Sequence, residues 1–266
     1  MSVELSSLEK TLVVPLWHRA QTSKAHPELL NDVKAIELVN HLDYDFSIFE
    51  QRFTVEDSFR SAARARQFDD KLRAYMSTHP DASIMNLGAG LDTAFYRVDN
   101  GSIEWYDLDL PNVIALRKQL LPETNRVKYI AKSLFDISWC ADMEHTDNGI
   151  FIVAKGILWF FEEAEIKRFF SSLADALPGA ELICEASSTL GAPIVNDSLR
   201  SVDMEVEVKW ELGDARVITQ WDSRLTLIDQ TPAYLIPRDP AWGEQTVENI
   251  DASELTNTLS IVHLCV

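Results

Sequence analysis

The stretch Ile84-Met85-Asn86-Leu87-Gly88-Ala89-Gly90-Leu91-Asp92-Thr93 decides the fold of this chain. An apolar run ends there in Gly-Ala-Gly, and one short segment later the chain carries an acidic pair, Asp107 and Asp109. This order is typical of the first two strands of a nucleotide-binding α/β sheet. In such a sheet the glycines let a ligand approach the backbone, and a carboxylate after the second strand holds ribose hydroxyls.

Two residues after the glycines indicate which cofactor the turn accepts. A dinucleotide-binding turn requires a third small residue three places after Gly90, where the helix packs on the strand and its N-terminus holds a pyrophosphate. Thr93 occupies that place, and Asp92 puts a negative charge where the pyrophosphate would lie. A carboxylate repels phosphate but tolerates a sulfonium and an ammonium. The turn therefore favours S-adenosylmethionine over NAD.

The composition of the 266-residue chain narrows the classes of partner. It has 24 Lys and Arg against 42 Asp and Glu, a net charge of −18, which argues against nucleic acid and anionic membranes and allows a small-molecule ligand. The three cysteines are widely spaced, so neither a zinc site nor a disulfide framework is indicated. Residues 1–10 lack the apolar core of a signal peptide, and no apolar run approaches membrane-spanning length. We expect a cytoplasmic protein without a metal site; the pattern predicts nothing about its oligomeric state.

Helical patterns fill the N-terminal part of the chain, and alternating strands and helices follow. Residues 5–76 look helical, with breaks near Pro15, near His26-Pro27 and around residues 43–45, and one long helix covers residues 55–75. Strands and helices that alternate at the spacing seen beyond residue 80 predict a parallel, doubly wound sheet. The predicted strands are 83–87, 103–106, 127–130, 149–154, 180–185 and 260–266, and the predicted helices are 92–98, 111–121, 162–177, 194–209 and 214–221.

Four stretches of the chain resemble the leucine carboxyl methyltransferase family, whose bacterial members include polyketide-type O-methyltransferases. The resemblance implies an α/β, Rossmann-like methyltransferase fold with a mostly parallel seven-stranded sheet, helices on both faces and an N-terminal helical cap. It divides the chain into a cap over residues 1–80 and an S-adenosylmethionine-dependent methyltransferase domain over 81–266. The four stretches are Pro15–Phe49, Ala63–Asp70 (Ala-Arg-Ala-Arg-Gln-Phe-Asp-Asp), Asn86–Arg97 and Trp105–Ile114, and weaker similarity continues to residue 185.

The resemblance places the methionine part of the cofactor between an arginine and the glycine turn. Arg64 matches the family arginine that grips the methionine carboxylate, for which a guanidinium is suited by its paired, charge-assisted hydrogen bonds. The turn Gly88-Ala89-Gly90 would let the same moiety lie against the backbone. Two alternatives remain open. Arg64 could be an exposed helix residue paired with Glu56 or Asp69, and the glycines could form a tight turn without a ligand.

The ribose site implied by the resemblance lies at the end of the second strand. Asp109 matches the family acid that binds the ribose hydroxyls, since a carboxylate accepts both hydrogen bonds, and its neighbour Leu110 belongs to the same predicted site. Asp107 is the alternative, because the end of a strand is hard to place from sequence.

The adenine site implied by the resemblance follows the third strand. Asp136 stands where family members hold the adenine amino group, and Leu134 and Phe135 would supply apolar contacts to the ring. The alternative for Asp136 is a purely structural role as the N-cap of the helical turn that follows it.

Lys155 departs from the family pattern. After the fourth strand the family usually has a glutamate, then a glycine, and a tyrosine near the position of Phe160, whereas this chain has Lys155-Gly156. A lysine reverses the charge next to the expected sulfonium. A divergent active site would explain this residue, and so would a substrate carboxylate held by Lys155.

The resemblance implies that the protein transfers a methyl group from S-adenosylmethionine to a carboxylate or hydroxyl oxygen of a small molecule. Because the sulfonium is already activated, positioning of the acceptor does most of the work, and we assign no catalytic base. Tyr96, Trp159 and Phe160 are candidate walls of an acceptor pocket, with packing in the core as the alternative. Two other functions stay open: a divergent non-catalytic binding protein of the same fold and, less favoured, an NAD-dependent oxidoreductase.

Overall fold

A computed structural model describes residues 7–144, 146–202, 206–235 and 238–266. The strands are β1 (Ser83–Leu87), β2 (Glu104–Asp109), β3 (Val127–Ala131), β4 (Ile150–Ala154), β5 (Glu181–Ser187), β6 (Thr226–Pro232) and β7 (Leu259–Cys265). They form one seven-stranded sheet in the order β3-β2-β1-β4-β5-β7-β6. β1 to β5 are parallel, and β7 runs antiparallel to both β5 and β6. The structure confirms the predicted Rossmann-like α/β sheet.

Nine α-helices lie in the described ranges. They are α1 (Ser7–Ala25), α2 (Val33–His41), α3 (Ser47–Arg52), α4 (Val55–Thr78), α5 (Ala94–Val98), α6 (Pro111–Leu120), α7 (Glu163–Ala176), α8 (Gly191–Arg200) and α9 (Glu244–Leu255). The long helix α4 begins with a reciprocal capping box, in which Thr54 caps the backbone N–H of Asp57 and the Asp57 carboxylate accepts from the backbone N–H of Thr54. This cap fixes the start of the helix that carries Arg64.

The predicted helix break near Pro15 is wrong, because α1 runs through this residue without interruption. Proline inside a helix removes one backbone hydrogen bond and crowds the preceding turn. Burial offsets that cost here, since Val13, Leu16 and Ala20 of the same helix are fully buried against α2 and α3.

The C-terminal part differs most from the sequence prediction. The helix predicted over 194–209 ends at Arg200, residues 203–205 lie outside the described residues, and the Asn196 side chain accepts a hydrogen bond from the backbone N–H of Val208. The segment predicted as a helix over 214–221 is a 3-10 helix, Ala215–Gln220. The bounds of strand β6 and helix α9 were not predicted, because apolar residues do not recur at a clear spacing in either segment. The residues of β6 are half-buried or exposed.

Both faces of the sheet are covered by apolar side chains. Alternate residues of a strand point to opposite faces, so Met85 and Leu87 join the core formed with α7, whereas Ile84 joins the core formed with α4 and α5. The helices α1 and α4 also lie beside the turn that follows β1, where Leu12 approaches Gly90. Ligands of open α/β sheets bind at this edge, outside the carboxyl ends of the strands. Among the described helices, none has the length and apolar content needed to cross a membrane.

Candidate active site

A cavity of about 300 Å³ opens where the carboxyl ends of β1 and β4 meet α1 and α4. This volume is at the lower end of the range for small-molecule sites. Seven residues predicted from the sequence line it together: Arg64, Gly88, Ala89, Gly90, Lys155, Trp159 and Phe160. The structure therefore brings together the glycine turn, Arg64 of α4 and Lys155, the residue that departs from the family pattern.

A residue other than glycine would be strained at either end of the glycine turn. Gly88 and Gly90 have φ angles of +62° and +46°, in the left-handed region. A Cβ atom on Gly88 would lie 2.2 Å from Cδ1 of Ile157, and one on Gly90 would lie 3.0 Å from Cδ2 of Leu12. The turn thus presents bare backbone to the cavity.

Asp109 is tied directly to this turn. Its Oδ2 accepts a hydrogen bond of 2.8 Å from the backbone N–H of Gly90, and its Oδ1 accepts one of 2.7 Å from the backbone N–H of Leu110. Burial raises the pKa of Asp109, and the two N–H groups oppose that rise. Each oxygen of a carboxylate has a second lone pair, so hydroxyl groups can still donate to it.

Asp107, the alternative to Asp109, has a structural role. Its carboxylate is fully buried, lies 2.6 Å from Nη2 of Arg117 and accepts hydrogen bonds of 2.8 Å from Asn86 and from the indole N–H of Trp105. These partners enclose it inside the sheet. The end of β2 therefore falls at Asp109, two residues beyond the internal acid.

The predicted adenine residues lie at the end of β3, outside the lining of this cavity. Leu134 is buried, and Phe135 packs edge-on against Phe161. Asp136 is exposed and caps the 3-10 helix Ile137–Asp142 through the backbone N–H of Ser138. Asp136 is thus an N-cap, and its contact with adenine stays a prediction.

Tyr96, a predicted wall of the acceptor pocket, does not line this cavity. Tyr96 is 39 % exposed, the centre of its ring lies 5.1 Å from Nζ of Lys34, and it lines a separate groove formed by α2, α4 and α5. The next residue, Arg97, points inward and forms buried ion pairs with Asp32 and Asp69. Successive residues of a helix point about 100° apart, so Tyr96 faces away from the interior.

Lys155 and Asp92 form a buried ion pair. Nζ of Lys155 lies 2.7 Å from Oδ2 of Asp92, and both side chains are more than 90 % buried. Burial opposes ionisation of Asp92, but the charges of Lys155, Arg19 and Arg97 outweigh it and hold the pKa of that carboxyl far below its usual range. Two expectations are corrected by this pair. Asp92 is not a bare negative charge beside the ligand, and Lys155 is not an uncompensated positive one.

The pair belongs to a larger ionic network that the sequence analysis missed. Asp32 caps α2, and its Oδ2 lies 3.0 Å from Nε of Arg19 and 2.6 Å from Nη1 of Arg97. Arg97 also pairs with Asp69 of α4. All four residues of this network lie in the stretches that resemble the family, and this was the one sequence signal for them. Nothing in their spacing shows that they contact one another. They are Arg19, Asp32, Asp69 and Arg97.

Arg64 pairs with Glu185, and the two partners proposed from the sequence are wrong. Its Nε lies 2.9 Å from Oε1 of Glu185 at the end of β5, and its guanidinium lies over the Trp159 ring. Asp69 is instead occupied by Arg97, and Glu56 accepts from Thr246. The only sequence signal for Glu185 was an acid at the end of an otherwise apolar strand.

His18 is a further cavity residue that the sequence analysis missed. Its Nδ1 lies 3.0 Å from Oγ of Ser58, and its ring packs on Phe53. Burial lowers the pKa of His18 to about 4. The imidazole is therefore uncharged at neutral pH. In the described part of the chain, no cluster of His, Cys, Asp and Glu could hold a metal ion.

A comparison with known protein families identifies the family of this chain. The family model for leucine carboxyl methyltransferase matches residues 12–174, more than half of the chain. The chain belongs to the leucine carboxyl methyltransferase family. It is accordingly an S-adenosylmethionine-dependent methyltransferase, as the resemblance implied.

Two relatives are similar along most of their length. The tetracenomycin polyketide synthesis O-methyltransferase of Streptomyces glaucescens is 30% identical over 186 residues, which cover 70% of this chain and 68% of the relative. An S-adenosyl-L-methionine-dependent methyltransferase of Gibberella zeae is 25% identical over 240 residues, covering 80% and 78% of the two chains.

Solved structures share the fold. A DUF574 family protein of Streptomyces avermitilis has a TM-score of 0.56 at 15% identity, covering 77% of this chain and 82% of the other. A candidate methyltransferase of Thermobifida fusca has a TM-score of 0.53 at 15% identity and covers 93% of both chains. At this identity the likeness concerns the fold alone.

Proposed function

We propose that this methyltransferase transfers the methyl group to an oxygen, a carboxylate or a hydroxyl, of a small molecule. The observation that carries the proposal is the single cavity in which the Gly88–Gly90 turn, Arg64 and Trp159 meet. The Streptomyces glaucescens relative is an O-methyltransferase of polyketide synthesis by name, which supports oxygen as the acceptor atom.

The residues at the carboxyl ends of β1 and β2 fit S-adenosylmethionine. Gly88 and Gly90 line the cavity, and because Ile157 and Leu12 occupy the places where side chains would go, the turn offers a ligand only its backbone. Asp109, fixed by the N–H of Gly90, would accept hydrogen bonds from the ribose hydroxyls, and Arg64 would hold the methionine carboxylate. When bound, the cofactor supplies a methyl group on a positively charged sulfur, which keeps the electron pair as the acceptor oxygen forms the new bond to carbon.

The cavity would also position the acceptor beside the cofactor. Its walls are mainly apolar, with Phe53 from the segment before α4, Trp159 and Phe160 after β4, and Ile194 and Leu199 from α8. Apolar walls hold an acceptor oxygen close to its target and offer it few competing hydrogen-bond partners. His18 is uncharged at neutral pH and adds no charge there.

Two measurements in sequence test this proposal. Calorimetric titration with S-adenosylmethionine, S-adenosylhomocysteine and NAD should show binding of the adenosyl ligands alone. Incubation with methyl-labelled S-adenosylmethionine and an aromatic carboxylate, phenol or amine on the same ring system should then give methyl ester or methyl ether. Transfer to the amine alone would overturn the assignment to oxygen. Cofactor binding without transfer to any acceptor would favour a non-catalytic binding protein.

A further inference from the structure

Glu185 places a buried carboxylate in the layer directly behind the cavity wall. Its side chain is 1% exposed and lies 2.9 Å from Arg64, which lines the cavity. Within the described chain, Arg64 and Glu185 are close but poorly aligned for a hydrogen bond, and the other nearby donor is the backbone N–H of Gly156. A buried carboxylate in this condition is costly unless it serves a ligand.

We propose that Glu185 binds the α-ammonium of the cofactor's methionine moiety. It would thereby supply the acid that the family resemblance leads one to expect at the position of Lys155. This inference rests on the proposed cofactor site and names a further residue of it.

The register of the sheet places Glu185 beside Lys155. β4 and β5 are parallel with Ala154 opposite Cys184, so Lys155 and Glu185 are the next pair at the carboxyl ends of these strands. Gly156 follows at once and lines the cavity, and the position of a Cβ on it is 3.8 Å from Oε2 of Glu185. Because Gly156 has no side chain, little separates that oxygen from the cavity.

The acids that line the cavity already have partners. Asp92 is already paired with Lys155 at 2.7 Å, and Asp57 accepts from the backbone N–H and the hydroxyl of Thr54. These are the acids that line the cavity among the described residues. Glu185 therefore keeps hydrogen-bonding capacity that a ligand could use.

The charges of Arg64 and Glu185 balance each other in the absence of a ligand. Burial raises the pKa of Glu185, and the positive charges of Arg64 and Lys155 oppose that rise. If Arg64 turned to the methionine carboxylate without another change, Glu185 would lose its nearest counter-charge. A bound amino acid carries a carboxylate and an ammonium, so it can take over both partners of the Arg64–Glu185 pair at once.

The test compares four adenosyl ligands by calorimetry in wild type and in Glu185→Gln. The ligands are S-adenosylhomocysteine, its decarboxylated analogue with only the ammonium, its deaminated analogue with only the carboxylate, and methylthioadenosine with neither. We expect Glu185→Gln to weaken the first two by roughly ten- to a hundredfold. The deaminated analogue should bind equally well or more tightly, and methylthioadenosine should be unaffected. Glu181→Gln, on the same strand but paired with His263, is the matched control and should change none of the four.

Each contrary result is distinguishable. A loss confined to ligands that keep the carboxylate would show that Glu185 only orients Arg64, and an unchanged affinity for S-adenosylhomocysteine would remove it from the site. Absence of binding of every adenosyl ligand to wild type would overturn the proposed function itself. If Glu185→Gln misfolds, it will no longer bind even methylthioadenosine, and Glu185→Asp then provides the test. This variant keeps a carboxylate, so it must still bind the decarboxylated analogue more tightly than methylthioadenosine.

Discussion

Nζ of Lys155 lies 2.7 Å from Oδ2 of Asp92, so the lysine after β4 and the acid after the glycine turn neutralise each other. Each residue alone looked like a charge placed against the cofactor. As a pair they add no net charge to the cavity that both of them line. The departure from the family pattern is therefore compensated inside the site.

Replacing Lys155 by the family's glutamate should damage the protein rather than improve it. Lys155→Glu would put a second carboxylate against buried Asp92, and we expect it to lower the free energy of unfolding by about 3 kcal/mol or more. Urea unfolding measures this. The control is Lys118→Glu, whose half-exposed lysine pairs with Glu123 and should contribute less than about 1 kcal/mol. Equal effects of the two changes would mean that the buried pair has no special weight.

The two acids at the end of β2 should separate stability from binding. Asp107→Asn breaks the buried pair with Arg117 and should cost about 3 kcal/mol of stability. Asp109→Asn should cost less, about 1 kcal/mol, because the amide keeps one of the two backbone hydrogen bonds and burial already disfavours the charged form of this group. It should weaken S-adenosylhomocysteine binding by about tenfold or more, through loss of a charged acceptor for the ribose. Thermal unfolding and calorimetry on both variants check this, and the reverse pattern would show that Asp107 is the ribose acid.

Gly88→Ala should cost more stability than Gly179→Ala. Both glycines have a positive φ, so each alanine pays about 1 kcal/mol for a left-handed backbone. Only at Gly88 would the new Cβ also meet a neighbour, Ile157, whose Cδ1 and Cβ lie 2.2 Å and 3.2 Å away, whereas nothing lies within 4 Å at Gly179. We expect about 1 kcal/mol of additional loss at Gly88 in urea unfolding. Equal losses would indicate that Ile157 moves aside freely.

His18 should make the protein sensitive to mild acid. Its pKa is about 4 in the folded protein and near 6.5 in the unfolded chain, so below pH 6.5 the unfolded state binds more protons. The contribution of the neutral imidazole to stability is complete above pH 6.5 and is lost as the pH falls toward 4. It amounts to about 3 kcal/mol at most. Comparison of wild type with His18→Gln between pH 7 and pH 4 isolates this residue, and parallel stability curves would contradict the assignment.

The periodic parts of the chain were predictable from sequence because they depend on local pattern. The bounds predicted for β1, 83–87, are those observed, and the predicted glycine turn follows it, with positive φ angles at Gly88 and Gly90. The long helix α4 and the parallel order of the first strands follow from apolar spacing in the same way. The break predicted at Pro15 failed because tertiary burial of α1 outweighed a local preference.

Only the tertiary structure decided which charges meet. Sequence alone proposed Glu56 or Asp69 as partners of Arg64, since these lie on the same helix, whereas the fold supplies Glu185 from β5. In the same way it joins Lys155 to Asp92 across the ends of β4 and β1. Such pairs depend on the register of a sheet and on how helices pack over its edge, so residues far apart in the chain become neighbours only when the whole core has formed.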